Sequence, residues 1–322
     1  MATLLKTRTT VTNDSGGGID GTIGDAAWVT NLENEIDDFG ASLARHVCQG
    51  RITLTTALPV TTADVLAATT IRYALYAGNH IALYTGSKWA VYTFAELSLA
   101  LGSDTADNNY DLFAYNSGGT VTLERLVWTN DSTRATALTT QDGVLVKTGD
   151  TTRRYLGTYR TTGVAGQTED SLAKRFVWNY YHRVPRVLQR NETTATWTYT
   201  TATIRQANAS ALNQVELVIG VAEGAVRLHL TQTIANTNTG VAVVSGIGDN
   251  VTTVMITTSN YQFATTAIAN GAIGLHSDLY KVPAIGYNRY TWLEYSAATG
   301  TTTWYGVVAG SVQSGLSGVI HG

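Results

Sequence analysis

From Arg51 to Gly322 the chain reads as one short strand after another, and no segment there holds a helical period long enough to compete. Ile52-Thr53-Leu54-Thr55 alternates apolar and polar residues, and residues 71–75 alternate likewise. Residues 81–84, the turn pair Gly86-Ser87, and residues 89–94 together form a hairpin signal. Further strands are expected at 110–115, 121–128, 143–147 and 155–159, with Ser117-Gly118-Gly119 as a turn. A second series is expected at 196–204, 214–221, 225–233, 241–244, 251–257, 291–295 and 301–308. One helical turn is expected at 96–101, and residues 170–181 read as a helix start before Pro185. Short strands at this spacing suit sandwiches or barrels. Residues 162–166, Thr-Gly-Val-Ala-Gly, read as a linker between two β domains.

Composition narrows the function classes. Only 14% of residues are charged, the net charge is -3 and no basic stripe occurs, so nucleic-acid binding has no electrostatic footprint. No apolar run approaches the roughly 18 residues of a spanning helix, so no membrane insertion is expected. Residues 1–10 lack the apolar core of a signal peptide, which predicts synthesis and use without secretion. Cys48 is the single cysteine, so intrachain disulfides are excluded; it reads as a buried thiol or an intersubunit link.

One segment departs from the β pattern. Val29, Leu32, Ile36, Phe39 and Leu43 follow at spacings of three, four, three and four, an a/d heptad seam with Asp25 as N-cap and Gly50 as terminator. Acidic residues such as Glu33, Glu35 and Asp37 fall off the seam. The stripe fits either a parallel coiled coil between identical chains or an amphipathic helix lying on its own domain. Before it, residues 1–24 carry Ser15-Gly16-Gly17-Gly18 and no periodicity, so they read as a flexible arm or a segment ordered by a partner.

Several blocks carry a resemblance. They include Arg51-Ile52-Thr53-Leu54-Thr55, Ile81-Ala82-Leu83-Tyr84-Thr85-Gly86-Ser87-Lys88-Trp89 and Gln141-Asp142-Gly143-Val144-Leu145-Val146-Lys147. Arg153-Arg154-Tyr155-Leu156-Gly157-Thr158 and Lys174-Arg175-Phe176-Val177-Trp178-Asn179-Tyr180-Tyr181 complete them. Together they make residues 51–221 resemble a domain of bacteriophage fibre and spike proteins: tail fibres, head fibres or virion decorations. The resemblance implies a homotrimer, an N-terminal virion anchor (Leu4, Leu5, Thr9 and Val11 in the arm) and a distal β head. It brings no catalytic residues, and no cofactor is expected.

The expected architecture is therefore mainly β: arm 1–24, coiled-coil stalk helix 25–49, first β domain 50–162, and C-terminal β-sandwich or jelly-roll-like head 163–322. No metal site is expected, because none of the histidines forms a ligand pair of His-x-x-x-His type. No phosphate-binding glycine loop or Gly-x-Ser-x-Gly elbow occurs either. Glu192, Glu216, Glu223 and Glu294 are scattered and do not by themselves make a glycosidase pair. Stacking on sugar faces is the better-supported chemistry, with Tyr287, Asn288, Arg289, Tyr290 and Trp292 as candidate glycan contacts and the Thr-rich turns 237–239 and 298–301 as alternatives. The expected function is a structural virion protein on the particle surface, made in the host bacterial cytoplasm. Its expected partners are itself, capsid or tail and baseplate proteins, and host surface polysaccharide. A purely architectural decoration or adaptor and a capsule-degrading spike are the alternatives.

Overall fold

The computed structural model of the chain describes residues 26–261 and 263–322. The arm 1–24, with Leu4, Leu5, Thr9 and Val11, and the cap Asp25 lie outside the described residues. The rest is mainly β, preceded by one helix, Ala26–Ala44. Among the described residues no helix is long and apolar enough to cross a membrane.

Alternation becomes pairing as expected in the first half. The strands His80–Tyr84 and Trp89–Thr93 form the hairpin around Gly86. Thr70–Leu75 lies between Gly50–Thr53 and Leu97–Ala100, so the turn of helix expected at 96–101 is instead an edge strand, its residues taken up by the ladder to Thr70–Leu75. A six-stranded sheet runs Thr120–Val127, Asn109–Ser117, Asp150–Arg160, Val144–Lys147, Leu138–Gln141, with Val177–Asn179 also on Asp150–Arg160. Ile52, Ile71, Tyr73, Leu112, Leu156 and Tyr159 fill the core beneath.

In the second half two sheets face each other as a sandwich. One has Gly286–Ser296 at its centre, flanked by Gln214–Ile219 and Ala242–Asp249. The other has Val226–Asn236 at its centre, flanked by Ile273–Lys281 and Gly315–His321. Leu217, Ile247, Tyr290 and Trp292 from the first meet Leu228, Leu230, Leu275 and Leu316 from the second in one core.

Three more sequence expectations change. Residues 170–181 hold no helix but the strands Lys174–Arg175 and Val177–Asn179, because Trp178 and Asn179 are drawn into the core. Asn179 does this with its amide, accepting from the Ile52 N–H at 2.7 Å and donating to the Ile52 carbonyl at 3.2 Å, so it replaces one backbone rung. Residues 251–257 are a turn rather than a strand; Met255 is buried there against Val244 and Leu293, and the Ile256 N–H returns to the Ile247 carbonyl. Residues 162–166 form a tight hairpin instead of a linker: the Thr162 N–H bonds the Gln167 carbonyl and the Gly166 N–H bonds the Asp104 carbonyl. Gly166 has φ +70, and a Cβ there would lie 2.4 Å from the Gly102 oxygen, so glycine is required. The ladders Val65–Ala68 to Thr168–Asp170 and Asp150–Arg160 to Val177–Asn179 run across this hairpin and tie the two halves together.

Over residues 30–40 the helix stands off the body. Residues 30–40 are exposed on every side, and the seam residues Leu32, Ile36, Phe39 and Leu43 face solvent rather than their own β body. The reading of an amphipathic helix lying on its own domain is therefore not what the chain adopts. The helix ends at Ala44, short of the expected Gly50, because Arg154 captures the chain that follows. Its guanidinium is buried and donates to the carbonyls of Arg45 at 3.0 Å, Val47 at 3.1 Å and Ala82 at 2.8 Å. Cations satisfy the orphan carbonyls at a helix C-terminus, and this one also anchors the helix root to the hairpin. Cys48 is buried beside the Tyr73 hydroxyl, and burial pushes its thiol pKa up.

Candidate functional site: a polar groove on the sandwich

Over residues 226–234 the strand Val226–Asn236 alternates, with Val226, Leu228 and Leu230 inward and Arg227, His229 and Thr231 outward. Its neighbour Ile273–Lys281 sends Leu275 and Leu279 inward and His276, Asp278 and Tyr280 outward. The antiparallel register sets them opposite each other: Arg227 to Tyr280, His229 to Asp278, Thr231 to His276. Directly opposed side chains in a sheet have Cβ atoms within about 5.5 Å, and two of these pairs, Arg227 with Tyr280 and His229 with Asp278, make side-chain contacts.

Each pair has its own chemistry. The Arg227 guanidinium carbon lies 5.6 Å from the centre of the Tyr280 ring. His229 Nδ1 is 2.7 Å from Asp278 Oδ1, and its Nε2 is 3.0 Å from the Thr231 hydroxyl. The His229 and His276 rings stack with centroids 5.7 Å apart. Arg227, His229, Asp278 and Tyr280, together with Thr258 and Asn260 from the neighbouring turn and edge strand, line a groove of about 680 Å³. Tyr280 is 69% exposed. The order hydroxyl, imidazole, carboxylate is one in which a histidine can draw a proton from an alcohol. The strand is hydrogen-bonded on both sides, however, so its amides are engaged in the ladder rather than aimed at an oxyanion, and the geometry suits binding better than acyl transfer. Among the described residues no group of three or more His, Cys, Asp or Glu is placed to hold a metal.

The residues singled out from the sequence for glycan contact lie elsewhere, in Gly286–Ser296. Asn288, Tyr290 and Trp292 are buried, because this is the central strand of its sheet with both neighbours in place. Trp292 packs edge-on against Trp197 at 6.2 Å and donates to the Ser245 hydroxyl. Asn288 donates to the carbonyls of Ala284 and Gly286. Tyr287 donates to Glu216 at 2.7 Å under the Arg160 guanidinium, and burial together with Glu216 pushes its phenol pKa up. Arg289 is half-buried and reaches the Asn250 carbonyl. These side chains build the core and the outer sheet face, and Asn288, Tyr290 and Trp292 are corrected from surface contacts to structural residues. The turns at 237–239 and 298–301 meet each other: the Thr301 N–H bonds the Thr237 hydroxyl, and the Thr237 N–H bonds the Thr301 carbonyl.

The groove was missed because its two strands are far apart in the chain and the histidines have no local spacing. A signal was present in residues 273–281, where Ile, Leu and Leu alternate with Gly, His, Asp and Tyr, as a half-buried strand does.

No family model matches the chain, and no curated protein matches it. Among solved structures, it is similar to the insecticidal delta-endotoxin Cry8Ea1 of Bacillus thuringiensis, with 8% identity, a TM-score of 0.23, and coverage of 85% of this chain and 52% of that one. The Bacillus thuringiensis Cry1Da tryptic core variant gives 6% identity, a TM-score of 0.20, and coverage of 88% and 54%. The infectious bursal disease virus Gx strain structure gives 10% identity, a TM-score of 0.15, and coverage of 86% and 80%. The chain thus spans about half the length of the toxin chains it matches. At these TM-scores the likenesses carry no weight for fold or function.

Proposed function

We propose that this chain is a structural virion protein of bacteriophage fibre or spike type, anchored by residues 1–24 and binding host-surface glycan through its sandwich. The observation that carries binding is the groove in which exposed Tyr280 is surrounded by Arg227, His229, Asp278 and Asn260. An aromatic face beside hydrogen-bonding groups is the chemistry that holds a sugar ring. The virion setting rests on the resemblance of residues 51–221. The trimer rests on the heptad seam: a free helix of 19 residues is marginal in water, and an exposed apolar stripe needs a partner. Weak sites on three chains then combine through effective concentration.

The test is binding of the purified full chain to a panel of bacterial surface polysaccharides. Tyr280→Ala should weaken binding about tenfold or more, the scale of one lost stacking contact plus its positioning. Equal binding by wild type and Tyr280→Ala, or no binding by wild type, would remove the glycan reading. A second reading, an architectural decoration or adaptor without a receptor, is favoured by Phe263 and Ile268, large apolar side chains exposed near the edge strand Phe263–Thr265. Antibody labelling of intact particles separates the two: tip labelling fits attachment, capsid-surface labelling fits decoration.

A further inference from the structure

Resting on the glycan reading above, we infer that the groove selects an acidic saccharide, with a carboxylate of the sugar taken by Arg227 and the sugar face laid on Tyr280.

The inference comes from how charge is shared along the groove. Asp278 is its carboxylate, and His229 takes one of its oxygens, Oδ1, at 2.7 Å. Lys281, next along the strand, is held by Asp249 at 2.5 Å. Arg227 is different. It is exposed, and among the described residues its guanidinium makes no ion pair and no hydrogen bond; its one side-chain partner is the Tyr280 ring. Arginine presents five N–H donors in a planar fork that matches a carboxylate through two parallel hydrogen bonds. Stacking against Tyr280 restrains that fork, so less side-chain freedom is lost when an anion binds.

The neighbours complete a site for a charged sugar. A pyranose on Tyr280 brings its substituents over the sheet, where Asn260, Thr258 and the Asp278 carboxylate offer hydrogen-bond partners for hydroxyl groups. Asp278 would repel a second sugar carboxylate placed near it, which favours one charge per bound unit, at the Arg227 end. A neutral sugar on the same ring offers the guanidinium only hydroxyl and ring oxygens, and hydrogen bonds to these are weaker than the charge-assisted pair that a carboxylate makes.

The experiment uses the intact chain and defined probes. Oligogalacturonate, its fully methyl-esterified form and dextran sulfate are each titrated by calorimetry at two salt concentrations, with wild type, Arg227→Gln and Tyr280→Ala. Circular dichroism of each variant checks that it remains folded. The expected result is that oligogalacturonate binds about 10- to 100-fold tighter than its ester, the scale of one charge-assisted contact. Arg227→Gln should abolish that preference while retaining residual ester binding, and Tyr280→Ala should weaken both ligands. Acid and ester binding equally, with dependence on Tyr280, overturns the carboxylate assignment and leaves the glycan reading standing. Binding of dextran sulfate but not oligogalacturonate, lost in Arg227→Gln, likewise overturns it in favour of a sulfate. An acid preference unchanged in Arg227→Gln places the anion elsewhere and also overturns it. Failure of every sugar to bind overturns this inference and the glycan reading together.

Discussion

Glu294 is a carboxylate with no exposed surface in the centre of the sandwich, and it makes the sandwich sensitive to pH. Trp197 Nε1 donates to it at 2.7 Å, Arg205 Nε at 2.7 Å and the Asn208 N–H at 3.2 Å. Burial outweighs these contacts and raises its pKa above the usual glutamate range. A folded-state pKa above the unfolded one means the native protein holds its proton more tightly than the unfolded chain does. The contribution of Glu294 to stability is therefore most favourable below about pH 4, and it declines as pH rises through the unfolded value towards the raised native one. Urea unfolding of wild type and Glu294→Gln from pH 4 to pH 7 reads this directly. The stability of wild type relative to the variant should fall across that window and then level off, whereas a constant difference would show that Glu294 titrates normally.

At the scale of elements, the helix Ala26–Ala44 and the strand Ile273–Lys281 make opposite use of periodicity. The strand buries one face and leaves the other, carrying Tyr280, in solvent. The helix buries neither face over residues 30–40 and leaves Phe39, 66% exposed, in water. Its root is fixed by Arg154, so three copies brought together at the seam would hold their bodies in a defined orientation. Replacing Leu32 and Ile36 together with Asp should convert a trimer to monomers by light scattering without changing the β signal in circular dichroism. A trimer surviving the double substitution would take the seam out of assembly.

For the whole molecule, the decisive contacts cross the middle of the chain. Gly157 pairs with Asn179, Thr168 pairs with Ala68, and the Lys174–Arg175 strand lies parallel to Gln214–Ile219. Arg134, from the first half, donates to the Gly220 carbonyl of the second at 2.7 Å while paired with Asp111. Residues 50–322 should therefore unfold as one unit, with coincident denaturation curves from tryptophan fluorescence and far-ultraviolet circular dichroism. Two separated transitions would mean that these ladders contribute little and that the halves are independent.

Local pattern was enough to specify the β class, the hairpin at residues 80–93 and the apolar seam, because period and turn residues act over a few positions. The same local cues misplaced the ends of several elements. Residues 251–257 have strand composition but turn, because Met255 is pulled into the core, and 162–166 look like a linker but close a hairpin. The aromatic run at 287–292 carried no mark of exposure: Tyr and Trp serve core and surface equally well, and only a strand flanked on both sides decides that Tyr290 and Trp292 are core. The groove was the least legible feature. The sequence by itself put His229 in an expected strand at 225–233 but left Asp278 outside every expected strand; register between strands distant in the chain decided that they meet, and that Arg227 is left beside Tyr280 with no ion pair or hydrogen bond among the described residues.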